Sequence, residues 1–243
     1  MARRRFFVQS IERGHAKLYG DEAAHLTRVL RVEAGRVFEI SDNQRVYLAE
    51  VETACKDLVA FRIVEEIAPE PVRPHTSVLA ALIKFEHFEW MIEKATELGV
   101  ETIVPVSTER SERGLESAAR KRLDRWRRIA REASEQSRRA RMPEIDEPAV
   151  LAAALSNSSR YRYVLEESSA PAILSVLPEI RTPRDQVALL VGPEGGWTDR
   201  ERAEIHAAGW TAVSLGPLIL RAETAAIAAL AVIHAAWNSG AAR

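Results

Sequence analysis

Short apolar runs fill the first third of the chain, and apolar residues recur at helical spacing after it. Arg5-Phe6-Phe7-Val8 begins a predicted strand, and residues 37–40, 46–51 and 58–64 predict three more. Asp42-Asn43-Gln44-Arg45 between the second and third has turn composition. Residues 21–30 predict a short helix, followed by Arg31 and a turn at Gly35. Several short strands with one helix suggest a small β-barrel, a common RNA-binding module. Pro69, Pro71 and Pro74 interrupt the pattern, which predicts two domains, 1–73 and 74–243.

From Thr76 strands and helices alternate. Residues 78–83 predict a buried strand. Phe85, Phe88, Ile92, Ala95 and Leu98 share one helical face, and Gly99 stops that helix. Residues 103–106 and 161–165 predict further strands. A helix over 119–139 carries Leu123, Trp126, Ile129, Ala130 and Ala133 on its apolar side. Alternating strands and helices imply an α/β fold with a parallel sheet.

Two stretches share one layout. VALLV-GPEGGW-TDRERAEI occupies 187–205 and AVSL-GPLILR-AETAAIAAL occupies 212–230. Each is an apolar strand that meets Gly-Pro and turns into a helix, as ligand-binding loops do at the carboxyl edge of α/β sheets. Gly192, Gly195 and Gly196 permit positive φ and close backbone approach. Thr198-Asp199-Arg200-Glu201 fits a capping box, and Gly209 fits a helix stop. Neither a P-loop nor a G-x-G-x-x-G motif is present, and a plain tight turn explains either loop taken singly. The pair together predicts two walls of one pocket.

Composition adds limits. The 243 residues are 47% hydrophobic and 28% charged, enough for a sizeable core. The single cysteine, Cys55, excludes an internal disulfide and a multi-cysteine metal site, and is expected to be a small buried hydrophobe. The start, MARRRFFVQS, has no apolar signal region, and no apolar run reaches spanning length, so a cytoplasmic protein without membrane or metal is expected. Net charge is −1, yet residues 110–141 hold 12 Lys and Arg against 5 Asp and Glu. Such clustering suggests an RNA-contacting face, with a solvated helix face as the plainer alternative. The helix from Glu223 to Trp237 is apolar on nearly every side, which predicts burial all round and a two-fold dimer through it.

GPEGGWTDRE followed by SLGPLILRAETAAIAAL resembles the ribosomal small subunit methyltransferase E family, SPOUT-superfamily enzymes that methylate N3 of a uridine in 16S rRNA. Arg5-Phe6-Phe7, His25 to Gly35, Lys94 to Val100, Pro105 with Glu109-Arg110-Ser111, and Glu135-Gln136 with Arg139, Arg141 and Pro143-Glu144 are similar to other family motifs. The departures are Phe85 where the family usually has Gly, His87 near its usual basic residue, Ala222 for Thr, and Asn43 where Gly is common. The resemblance implies S-adenosylmethionine as cofactor, an N-terminal PUA-like β-barrel, a C-terminal trefoil knot, a homodimer, and 16S rRNA or the assembled small ribosomal subunit as partner. It places the cofactor against Leu165, Val191, Gly192, Glu194, Gly195, Gly196, Leu215, Gly216, Leu218, Leu220, Arg221 and Thr224. No acidic residue after a strand is required, unlike a dinucleotide fold. Arg221, Glu223 and Arg139 are the candidates for catalysis. Arg5, Arg28, Arg31, Arg110, Arg138, Arg139 and Arg141 are those for RNA. A non-catalytic RNA-binding protein is the alternative.

Overall fold

The computed structural model describes residues 5–69, 72, 74–112, 114–167 and 170–239. The chain divides into two compact units, Met1–Pro71 with Arg131–Met142, and Val72–Ala130 with Pro143–Arg243. The first break falls at the prolines. Residues 131–142, expected in the second domain, cluster with the first unit instead.

The first unit contains β1 (Arg5–Phe7), β2 (Ile11–Glu12), β3 (His15–Tyr19), α1 (Gly20–Arg28), β4 (Val37–Ser41), β5 (Val46–Cys55) and β6 (Leu58–Ile67). Its sheet runs β1-β4-β5-β6-β3-β2, with β1 parallel to β4 and every other ladder antiparallel. Among the described residues β1 and β2 do not pair, so the expected closed barrel is an open sheet. Phe6, Leu18, Ala23, Leu26, Ile40, Val51, Val59 and Phe61 form the core.

Turn chemistry explains what the apolar pattern left out. Arg13 and Gly14 both have positive φ (50° and 78°), the requirement of the tight turn joining β2 to β3. Asn43 stands at φ 68°, which Asn tolerates where Gly is common. The 42–45 turn forms as expected, with the N–H groups of Gln44 and Arg45 donating to Asp42 Oδ1 at 2.9 and 2.7 Å. The second half of β5 pairs with the apolar Leu58–Phe61 but is itself too polar to show in an apolar pattern. Cys55 lies in that half and is exposed, correcting the expectation that it is buried.

The second unit begins with β7 (His75–Ala81), α2 (Phe85–Leu98), β8 (Thr102–Ser107), α3 (Leu115–Arg120) and the part of α4 (Leu123–Gln136) up to Ala130. It continues with β9 (Glu144–Ile145), β10 (Ala149–Val150), α5 (Leu151–Ala154), β11 (Tyr161–Leu165) and α6 (Ile173–Val176). It ends with β12 (Gln186–Val191), α7 (Asp199–Ala207), β13 (Thr211–Val213) and α8 (Ala222–Asn238). Every ladder is parallel, in the order β10-β8-β7-β12-β11-β13, with β9 beside β8. One apolar cluster joins Phe88, Met91 and Ile92 of α2, Trp126 of α4 and Leu230 and Ile233 of α8 to the sheet. A second gathers Leu151, Trp197, Ile205 and Trp210.

The single helix expected over 119–139 is two. The Arg122 N–H donates to the Ala119 carbonyl at 2.8 Å, an i→i+3 bond that closes α3 before α4 starts. Helix α8 is not buried all round. Ala226, Ala229, Leu230, Ile233 and Trp237 are covered, whereas Ile227, Ala228 and Ala231 are half-buried and Ala235 is exposed.

Candidate cofactor site

The carboxyl ends of β7, β11, β12 and β13 share one edge of the parallel sheet. β11 lies between β12 and β13, so the two glycine loops flank the end of β11 rather than each other. They bound a cavity of about 440 Å3, within the range of small-molecule sites.

The first loop is held from three directions. Trp197 Nε1 donates to the Leu165 carbonyl at 3.3 Å, tying the loop to β11. Thr198 and Glu201 form the capping box that starts α7. Glu201 is buried, and its Oε1 also accepts from the Glu109 N–H at 2.8 Å, fixing the loop after β8. From that loop Arg110 Nη1 donates to the Gly195 carbonyl at 2.6 Å. Gly196 adopts φ 67°. A Cβ on Gly192 would stand 3.0 Å from the Trp197 ring, so only glycine lets that ring lie where it does.

The second loop is shaped differently. Ser214 Oγ accepts from the Gly216 N–H at 3.1 Å, and Gly216 takes φ 130°. Leu218 and Ile219 are 79% and 77% exposed although they wall the cavity. Apolar side chains left open at a cavity wall provide surface for a ligand to cover.

Of the residues expected at the cofactor, Leu165, Val191, Gly192, Glu194 and Gly196 line the cavity, as do Leu215, Gly216, Leu218, Leu220 and Arg221. Gly195 and Thr224 are not in the lining. Gly195 is backed by Arg110, and Thr224 is exposed on the first turn of α8. Sequence reasoning does not assign to the site Lys84, which precedes α2, and His87 in its first turn, nor Glu166, Glu167 and Arg202. The two carboxylates directly after β11 are a readable signal, passed over because no acidic residue is required there. Glu166 accepts from Arg202 Nε at 3.1 Å.

Arg221 and Glu223, both catalytic candidates, part company here. Arg221 lines the cavity at the start of α8. Glu223 is 3% exposed and outside the lining, and His87 stands at the cavity with Nδ1 3.2 Å from Glu223 Oε1. Arg139, the third candidate, is buried in the first unit with Nε donating to the Arg141 carbonyl at 3.0 Å.

The basic segment is largely spent on the protein itself. Arg5, expected at RNA, is buried, with Nη2 2.8 Å from Glu39 Oε2. Arg138 binds the same carboxylate. Arg131 donates to the Phe7 carbonyl at 2.7 Å and pairs with Glu22 at 2.5 Å. Beside it, burial pushes the Glu135 carboxyl above its ordinary range, while Arg131 pulls the other way. In the second unit the Arg125 guanidinium, with Arg122, holds Glu89 below the usual carboxylate range despite partial burial. Arg28, Arg31, Arg110 and Arg141 are exposed.

A family model of the RNA methyltransferase domain matches residues 69–234, and one of the RNA methyltransferase PUA domain matches residues 18–64. The ribosomal RNA small subunit methyltransferase E of Mycobacterium bovis is 36% identical over 236 residues, 91% of this chain and 88% of that protein. Its counterpart from Aquifex aeolicus is 30% identical over 234 residues, 93% and 97% of the two chains. The crystal structure of the Neisseria gonorrhoeae ribosomal RNA small subunit methyltransferase E, bound to S-adenosyl methionine, is similar with a TM-score of 0.87 at 28% identity, covering 97% of this chain and 98% of that one.

Proposed function

The chain belongs to the ribosomal RNA small subunit methyltransferase E family, and from that premise we propose that it uses S-adenosylmethionine to methylate N3 of one uridine in 16S rRNA. The observation that carries this reading is the cavity between the two glycine loops. Its walls suit the cofactor. Leu165, Val191, Leu215, Leu218, Ile219 and Leu220 offer apolar surface for a purine, and Glu166, Glu167 and Glu194 offer negative charge to a cationic ligand. When bound, the cofactor supplies an activated methyl group on a sulfonium sulfur.

The chain's own groups do the rest. The loops hold methyl donor and base in line, which lowers the barrier through positioning. Arg221 stabilises negative charge developing on the uracil carbonyl oxygens. The target uridine must enter unstacked. Of the arginines expected at RNA, Arg28, Arg31, Arg110 and Arg141 are exposed and can meet phosphate, in free 16S rRNA or the assembled small subunit. A cytoplasmic location follows from that substrate.

Two assembly features belong to the same reading. α8 returns from the loop after β13 to pack on α2, β7 and β12, which supports a trefoil knot around the site. The uncovered face of α8 carries Ile227, Ala228, Ala231 and Ala235, and Trp90 of the adjacent α2 is 45% exposed. These faces support an isologous homodimer. Titration calorimetry with S-adenosylmethionine, followed by mass mapping of 16S rRNA from cells lacking and expressing the protein, tests the function. Micromolar binding and one expression-dependent methyluridine are expected. Tight RNA binding without cofactor binding would instead leave a non-catalytic RNA-binding protein.

A further inference from the structure

We propose that His87 is the group that accepts the N3 proton of the target uridine, and that Glu223 is the buried residue that positions it. This rests on the methyltransferase reading above and assigns a role within it. Methyl transfer to N3 of uracil requires that the N3–H bond give up its proton, since the lone pair needed for attack is otherwise engaged. A side chain at the cavity with a free basic atom must be found; Glu223, the carboxylate expected to act, is not in the lining, and Glu166 is engaged by Arg202.

The geometry supplies a chain of two groups. Glu223 sits in the first turn of α8 at 3% exposure, and its Oε2 has no hydrogen-bond partner among the described residues. Its Oε1 lies 3.2 Å from Nδ1 of His87. His87 occupies the first turn of α2 and lines the cavity with its side chain 27% exposed. With Nδ1 this close to a carboxylate, which when ionised only accepts, we place the ring hydrogen on Nδ1. In the neutral ring that leaves Nε2 as the acceptor. The arrangement is that of a general base whose tautomer is set by a buried acid.

The surroundings favour this use. Among the described residues Glu86 pairs with Nε2, but its side chain is 79% exposed and its Oε1 is 3.6 Å away, beyond hydrogen-bond reach. Lys84 at the start of α2 and Arg221 at the start of α8 are charged neighbours in the same cavity lining. Glu166, Glu167, Glu194 and Arg202 complete the charged lining. The step balances. The N3–H electron pair stays on N3 and attacks the methyl carbon, the carbon–sulfur pair stays on the cofactor's sulfur, and the proton rests on Nε2 until solvent takes it.

Three measurements on the intact protein test the assignment. His87→Asn keeps a donor toward Glu223 but has no ring nitrogen to accept a proton. It is expected to bind S-adenosylmethionine with unchanged calorimetric affinity while kcat falls by about 10²- to 10³-fold, the usual contribution of a general base. The wild-type kcat/KM is expected to depend on pH through a basic group that must be unprotonated, and the variant to lose that limb. Nitrogen NMR of the wild-type imidazole is expected to show hydrogen on Nδ1, a preference lost in Glu223→Gln. A His87→Asn enzyme at the wild-type rate, or slowed with the pH limb retained, would overturn the proposal, as would hydrogen on Nε2 in the wild type. A wild-type protein that binds no cofactor and methylates no rRNA would overturn the functional reading instead.

Discussion

The arginine-rich segment of the first unit and the cavity of the second are both dense in charge, and they spend it in opposite ways. Around Glu39, Arg5 and Arg138 meet one buried carboxylate, and Arg131 is shared between Glu22, Glu135 and the Phe7 carbonyl. Nearly every donor has an internal acceptor. At the cavity, by contrast, polar and apolar groups are left open. Leu218 and Ile219 are largely exposed on its wall, and Glu223, buried behind His87 of the lining, keeps one oxygen without a partner among the described residues. Charge density therefore marks where the chain concentrates electrostatics, whereas unfilled capacity marks where it awaits a ligand.

The sharpest way to break this contrast is at Glu39. Glu39→Ala leaves Arg5 buried without its counter-ion and sets it beside Arg138, and removing one partner of a buried pair costs about 3–5 kcal/mol. A clear fall in melting temperature is expected by calorimetry, with Arg138→Ala milder because Arg5 keeps Glu39. Equal, small shifts for both variants would mean that this cluster is surface charge after all.

A smaller effect is expected at the cavity. Gly196→Val places a β-branched residue at φ 67°, a strain of about 1–3 kcal/mol that the loop relieves by moving. Its Cβ would meet only Glu167 and Arg202 at ordinary distances, so strain and not collision is the cause. At about 1.4 kcal/mol per tenfold, cofactor affinity should weaken about 5- to 150-fold in a folded protein. Unchanged affinity in calorimetry would remove this loop from the site.

The smallest effect separates spent arginines from open ones. Arg28→Gln with Arg31→Gln should leave the melting temperature unchanged. It should flatten the slope of log RNA affinity against log salt by about 0.7–0.9 for each phosphate that the protein no longer neutralises. Arg138→Gln should leave that slope alone. The reverse pattern would return the RNA surface to the 131–142 segment.

Much of the second unit is legible in its residues. The apolar spacing of Phe88, Ile92 and Ala95, the stop at Gly99 (φ 102°), the capping box at Thr198 and the stop at Gly209 (φ 77°) are local features, and each element forms where local chemistry puts it. The two glycine loops are legible as a pair for the same reason. The hairpin at Arg13-Gly14 is not, because its turn lacks the usual Asn-Gly signal.

What the sequence by itself determined is thus the set of elements, the paired loops and the family they resemble, all carried by neighbours along the chain. Only the tertiary structure decided which charges are free. Arg5 and Glu39 lie 34 residues apart, and Glu223 meets His87 from the far end of the chain. Whether a guanidinium faces RNA or a buried carboxylate depends on burial and on partners that folding brings together. No local pattern encodes these, because one charged side chain satisfies helix and strand alike whichever way it is finally paired.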